Sequence, residues 1–470
     1  MSAGEHHGMM PLAGLAKYCR ISHPNQPRED RFGRMFPQLP PSYVPQSALA
    51  EVGRAGGPLD SGSAKKKTTS VPVGMVFFGQ FVDHDITLDA SSSFAQVVAD
   101  AGTVTNVRTP TLDLDCIYGL GPEAQPYLYS QTAPFGGAKL LTGADSGAGG
   151  LADSDLLRAP NGRAIIGDPR NDENRIISQM QLAMIRFHNH VCETLNAEQG
   201  LSGSELYEAA REQTTWHYQW CVVRDFLSVM CGKPVVERIL ACGRDYYCGG
   251  VPYIPVEFSV AAYRFGHSMV PMKIQTQKNG QKHELFGPIL GSGFSPLADA
   301  KGVVDFHKLF FTPAGRTVER ADKLDTKLVS ILLALPFIQP PAEASLAVRN
   351  LMRGNVFLLP GGDKVAHHMG RDAGEIDTVA DKIEAIGGIG REGIPLWLYV
   401  LAEAERIGRE DPDGGFKKGE GLGPVGARIV AETIIGLLEY DERSFLGANR
   451  NWVPRPDWDT VGKMLTVAQP

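Results

Sequence analysis

The chain lacks the features that would place it in a membrane or cross-link it covalently. Its longest apolar stretches, Val71 to Val82 and Leu328 to Ile338, fall well short of the ~20 residues a spanning helix needs, so no membrane span is expected. Seven cysteines, at positions 19, 116, 192, 221, 231, 242 and 248, include no CxxC pair. That pattern argues against a disulfide scaffold and for reduced thiols. The start, Met1-Ser-Ala-Gly-Glu-His-His7, has no basic segment followed by an apolar run. No secretory signal is read there, and a cytoplasmic location is expected, with leaderless export as the other route. Positive charge is also short, with 46 Lys and Arg against 53 Asp and Glu, a net charge of −7. No nucleic acid partner is expected from that balance.

The 470 residues are 43% hydrophobic and 21% charged, enough for a sizeable core, while 53 glycines and 32 prolines promise many loops. Residues 1–60 are rich in Pro, Gly and polar side chains and read as an extended N-terminal arm. Residues 61–470 read as one large domain. Lys65-Lys66-Lys67 reads as a solvated loop rather than a phosphate-binding patch. Asp168-Pro169 forms a helix start, with an N-cap followed by proline at the first helical position. Beyond it, Ile177, Met180, Met184, Phe187, Val191 and Leu195 recur at three- and four-residue steps, the signature of an amphipathic helix. Similar periodicity predicts helices over 257–270, 324–335, 395–406 and 427–438. Strand-like alternation is rare, so the fold class is mainly α. Gly421-Leu-Gly423-Pro-Val-Gly426 spells a dinucleotide fingerprint, but no hydrophobic strand precedes it and Pro424 interrupts it. It reads as a helix entry.

Four polar clusters interrupt the apolar helices. In Phe77-Phe-Gly-Gln80-Phe-Val-Asp83-His84-Asp85, helical geometry places Gln80, Asp83 and His84 on one face. Arg170 and Glu173 are three apart in what reads as a first helical turn. His267 follows Gly266, which leaves room for a flat group to approach. Asn350, in Val348-Arg349-Asn350-Leu-Met-Arg353, can hold a histidine ring by a hydrogen bond. Singly, each has an ordinary structural explanation.

In this order and wording the clusters resemble the animal-type haem peroxidase superfamily, the peroxidase-cyclooxygenase group, and its bacterial members most of all. The resemblance runs from Phe32-Gly-Arg-Met-Phe-Pro-Gln-Leu-Pro-Pro41 through Thr109-Pro-Thr-Leu-Asp-Leu-Asp-Cys-Ile-Tyr-Gly119 to Leu422-Gly-Pro-Val-Gly-Ala-Arg-Ile-Val-Ala-Glu432. It implies a mainly α single large domain with haem b between a distal helix (77–85) and a proximal helix (261–270). His84 matches the distal histidine, Gln80 the distal glutamine and Arg170 the distal arginine. His267 matches the proximal iron ligand and Asn350 its partner. Arg264 matches an arginine near the haem, and Arg353 one that pairs with a propionate. Asp83 and Glu173 match carboxylates that become ester-linked to the haem in mammalian members. Asp85, Thr109, Thr111, Asp113 and Asp115 match the calcium positions, with Asp115 standing where serine is common.

The implied activity is oxidation of small donors by hydrogen peroxide through a ferryl haem, a reaction fitting a response to oxidative stress. Halides or pseudohalides such as iodide, bromide and thiocyanate, or phenols, would be the donors. Protein partners are not readable. Two departures stand out. Asn174 replaces the methionine that forms a sulfonium link in some members, and Gly354-Asn-Val-Phe follows Arg353. The alternatives are a non-enzymatic haem-binding protein, which would need a damaged distal side, and a fatty-acid dioxygenase of the same fold. Dioxygenases carry a radical tyrosine three residues before the proximal histidine. Here that position is Arg264, and Tyr263 lies about 100° away around a helix.

Overall fold

The computed structural model describes residues 31–88, 98, 100–338 and 344–469. Helices build the core, and the described strands make only two-stranded pairings, such as Lys67–Pro72 with Arg320–Asp322. The helices that position the cavity are α1 (Gln46–Gly53), α2 (Val73–Ile86), α3 (Arg175–Gln199), α4 (Gly203–Trp220), α5 (Leu346–Val356), α6 (Leu396–Arg406) and α7 (Pro424–Tyr440).

Helix α2 is apolar nearly all round and lies inside the protein, as such a pattern requires. Gly74 lets it touch the layer below, since a Cβ there would lie 2.4 Å from the Phe310 ring. Helix α3 carries the expected apolar stripe, but its start differs from the sequence expectation. It begins at Arg175 under an Asn174 N-cap, while Asp168 caps a separate 3₁₀ turn, Pro169–Asp172. Two capping residues six apart divide what periodicity alone reads as one helix. Arg170 and Glu173 therefore sit on a turn and its exit rather than in the first turn of α3.

The predicted 324–335 helix is absent. Only Ser330–Leu332 makes a 3₁₀ turn, and the apolar residues are buried on an irregular segment. Its backbone is satisfied from elsewhere, with Leu328 N–H donating to Leu59 (2.9 Å) and Ser330 N–H to Gly62 (3.0 Å). The predicted 257–270 helix forms as a π turn, Glu257–Ala261, followed by a 3₁₀ stretch, Ala262–Ser268. The helices predicted at 395–406 and 427–438 correspond to α6 and to the body of α7. At the glycine fingerprint, Val425 N–H (3.0 Å) and Gly426 N–H (3.3 Å) donate to the Glu403 carboxylate. A side-chain carboxyl group thus takes the place a phosphate would occupy at a helix N-terminus.

Lys65 corrects the solvated-loop expectation for 65–67. Its ammonium is buried, 2.6 Å from Asp325, and donates to Ser268 O (2.7 Å). Lys67 pairs with Asp322 at 2.8 Å. The carboxylates on the 322–325 segment supply the partners that make burial tolerable. Within the expected arm, Phe36 is buried, Met35 and Phe36 N–H groups donate to Glu257, and α1 packs on α5. Cys19 and the His6-His7 pair lie outside the described residues. The six described cysteines are free, four of them buried. No described helix is long and apolar enough to cross a membrane.

Candidate active site

A cavity of about 750 Å³ lies between α2 and the 262–268 stretch, with α5 along one side. From α2 it receives Gln80, Asp83 and His84, three residues that helical spacing brings to one face. The Pro169–Asp172 turn and its exit add Arg170 and Glu173. The opposite wall carries His267, Arg264 and, from α5, Arg353.

His84 is fixed in tautomer as well as in position. Its Nδ1 lies 2.7 Å from Asn171 Oδ1, and Asn171 Nδ2 donates to Gln181 Oε1 at 2.9 Å. Gln181 Nε2 in turn donates to Cys116 O at 2.9 Å. Since the Asn171 amide hydrogen is committed to Gln181, its oxygen must accept from His84. The proton therefore sits on Nδ1 and Nε2 is left as an acceptor. Burial, reinforced by the Arg170 charge, pushes the imidazole down to about 4. His84 is thus a neutral base at ordinary pH.

Arg170 is clamped by Asp168, which accepts from its Nη2 at 2.7 Å and from its Nε at 3.2 Å. Arg170 Nη2 also donates to the His84 carbonyl at 2.8 Å, so a permanent positive charge is tied to the segment that carries the base. Gln80 donates to Glu173 Oε1, and Thr87 donates to Asp83 Oδ1 at 2.9 Å. Asn174 spends its side chain on Ile177 N–H as the cap of α3.

Across the cavity, His267 Nδ1 is 2.9 Å from the Asn350 amide nitrogen, and Arg264 donates to Asn350 Oδ1 at 3.3 Å. Burial and the Arg264 charge hold His267 down at about 3. Tyr263 also lines the cavity, but its hydroxyl donates to Gly79 O at 3.1 Å.

Behind His84, Asp85, Asp113 and Asp115 bring carboxylate oxygens within 4.8 Å of one another. Asp85 Oδ1, Asp115 Oδ1 and Thr111 Oγ1 are buried without a hydrogen-bond partner, while Thr109 Oγ1 lies 3.3 Å from Asp113 Oδ1. Burial and mutual repulsion raise Asp85 well above the carboxylate range and Asp115 to about 7. Oxygens alone, buried and short of partners, are a donor set suited to a hard cation such as Ca²⁺.

Sequence reasoning missed Asn171, Gln181 and Arg108, whose buried guanidinium lies 3.0 Å from Asp115 and 2.5 Å from Asp168. Gln181 left one usable signal, being a polar residue on the buried side of an apolar helix.

The sequence profile described as "Animal haem peroxidase" matches residues 96–374. The chain belongs to that family. The matched stretch holds Arg170, Glu173, His267, Asn350 and Arg353, while α2 lies before it. Thyroid peroxidase from Rattus norvegicus is 24% identical over 372 residues, 72% of this chain and 38% of that protein. Mouse eosinophil peroxidase is 30% identical over 107 residues, 23% of this chain and 15% of its own length. The chain thus spans about two fifths of thyroid peroxidase. Among solved structures, peroxidase A from Dictyostelium discoideum has a TM-score of 0.62 at 13% identity, covering 94% of this chain and 95% of that one. Oryza sativa fatty acid alpha-dioxygenase scores 0.57 at 18% identity, covering 94% and 79%. These likenesses confirm the mainly α, single-domain peroxidase fold. Family membership implies a haem, and the cavity walled by two histidines and several arginines fits one.

Proposed function

We propose that this haem peroxidase family member uses hydrogen peroxide to oxidise small donors, halides, pseudohalides or phenols. The observation that carries the reading is the pairing of His84 and Arg170 on one wall with His267 on the other. Haem, when bound, supplies a redox-active iron that accepts the oxidising equivalents of peroxide. His267 would hold the iron through Nε2. That requires the ring proton on Nδ1; a half-turn of the Asn350 amide presents Oδ1 to it and gives up the 3.3 Å bond that this oxygen accepts from Arg264. Arg353 would pair with a propionate, and Arg264 would lie near the haem as a fixed positive charge.

On the distal wall, His84 Nε2 takes a proton from the inner peroxide oxygen and returns it to the outer one, which leaves as water. Such positioned transfer contributes about 10²–10⁴-fold. Arg170 stabilises the negative charge that develops as the O–O bond breaks. Asp83 and Glu173 are proposed as ester links to the haem, and Gln80 as a holder of water or anion in the cavity. Acidified organic solvent should then fail to extract haem from peroxide-treated protein; free extraction removes that part. Ca²⁺ is proposed at Asp85, Thr109, Thr111, Asp113 and Asp115, where it would offset most of the charge of three carboxylates and satisfy the orphaned oxygens.

The deciding experiment is steady-state turnover with peroxide and a panel of iodide, bromide, thiocyanate and phenols. Donor oxidation that depends on peroxide and on His84 supports the reading, and inertness toward every donor opposes it. The dioxygenase alternative is favoured by one observation, the presence of Tyr263 on the cavity wall. The Gly79 hydrogen bond holds that hydroxyl against α2. Oxygen uptake with an unsaturated fatty acid, abolished in Tyr263→Phe, would establish the alternative instead.

A further inference from the structure

A ring of contacts joins the acidic cluster to both distal groups. Asp115 Oδ2 accepts from Arg108 Nη1 at 3.0 Å, and Arg108 Nη2 lies 2.5 Å from Asp168 Oδ2. Asp168 grips Arg170, and Arg170 donates to the carbonyl of His84. His84 is the peptide neighbour of Asp85, which returns to the cluster. Every link is a covalent bond, an ion pair or a hydrogen bond except one, the step from Asp85 to Asp115. There each carboxylate leaves a buried Oδ1 without a partner, and like charges face each other. A cation at that step closes the ring.

We infer that Arg108 is a positioning residue that ties the acidic cluster to Arg170 and thereby sets the distal pair. This inference rests on the peroxidase reading for what His84 and Arg170 do. Arg108 is buried and is not among the cavity-lining residues, so it acts through Asp168. Its planar fork suits the task, because one guanidinium reaches two carboxylates from two nitrogens at once. A lysine offers a single compact charge and cannot span both in fixed geometry. The consequence is two-way coupling between the cation site and the haem's distal side, since linkage between binding sites is reciprocal.

The test uses the full chain loaded with haem and calcium, as wild type, Arg108→Met and Arg108→Lys. We expect Arg108→Met to lower kcat/KM for peroxide by about 10–100-fold, the usual cost of losing an orienting partner. Its calcium affinity should stay equal or rise, because a positive charge 3.0 Å from Asp115 has been removed. A residue that merely held the loop together would lose both together. Arg108→Lys should fall between wild type and Arg108→Met, and it carries the test if Arg108→Met does not fold. A peroxide rate within twofold of wild type in the folded variant overturns the inference, as does a fall in rate matched by an equal fall in calcium affinity. Should wild type itself be inert to peroxide, the peroxidase reading fails separately. The Arg108 role is then read from cyanide binding to the haem, expected about 10-fold weaker in Arg108→Met, and an unchanged affinity overturns it.

Discussion

The two walls of the cavity are built on different plans. On the distal wall, His84 and Arg170 are held by side chains from separate segments, through Asn171 and Gln181 on one path and Asp168 and Arg108 on the other. On the proximal wall, His267 has one side-chain hydrogen-bond partner among the described residues, Asn350, and sits on a helix distorted through π and 3₁₀ turns. The difference fits the two tasks proposed for the walls. On that reading His267 presents one nitrogen, while His84 and Arg170 hold a neutral base and a permanent cation side by side, which calls for fixed tautomer, fixed charge and a network to maintain both. Proximal changes should therefore be all-or-none and distal changes graded.

The largest expected effect is at His267. Its replacement by alanine should abolish stoichiometric haem binding, read from the haem absorbance of protein reconstituted and gel-filtered. Full retention with an unchanged spectrum would place the ligand elsewhere. Next comes His84→Ala, expected to keep haem but slow the reaction with peroxide by about 10²–10⁴-fold. Asn171→Ala should be milder, about 10–100-fold, because the base remains but its tautomer and orientation are released. If Asn171→Ala matched wild type in stopped-flow mixing, the fixed-tautomer argument would lose its support.

The smallest effect concerns the cation. With calcium at 100 times its Kd, stabilisation should be about 2.7 kcal/mol, read as a higher Tm than in chelator. Asp113→Ala together with Asp115→Ala should remove that difference. The sign follows from the cluster. Burial and repulsion raise Asp85 and Asp115, so without a cation their ionisation opposes folding at neutral pH, and a bound cation reverses the penalty.

The same division between walls explains what the sequence revealed. Gln80, Asp83, His84, Arg170, His267 and Asn350 stand in short contiguous motifs, so helix spacing and family resemblance reach them directly. Their supports do not. Asn171 looks like one more turn residue, Gln181 like one more helical polar residue, and Arg108 precedes a loop whose folding brings it to Asp168. Each acts through a contact made across tens of residues, which no local period encodes. The missing 324–335 helix has the mirrored cause. Burial alone satisfies its apolar spacing, and the backbone finds partners at Leu59 and Gly62 that sequence periodicity cannot see. The burial of Lys65 escapes a local reading for a related reason, since it depends on Asp325 across the fold.

The central claim is that a neutral His84, held opposite His267, drives the reaction with peroxide. Its most direct test is stopped-flow mixing of haem-loaded wild type and His84→Ala with hydrogen peroxide, following the haem absorbance. The account predicts a fast, concentration-dependent change in wild type that slows at least about 100-fold in the variant. Equal rates in the two proteins, both retaining haem, would contradict it.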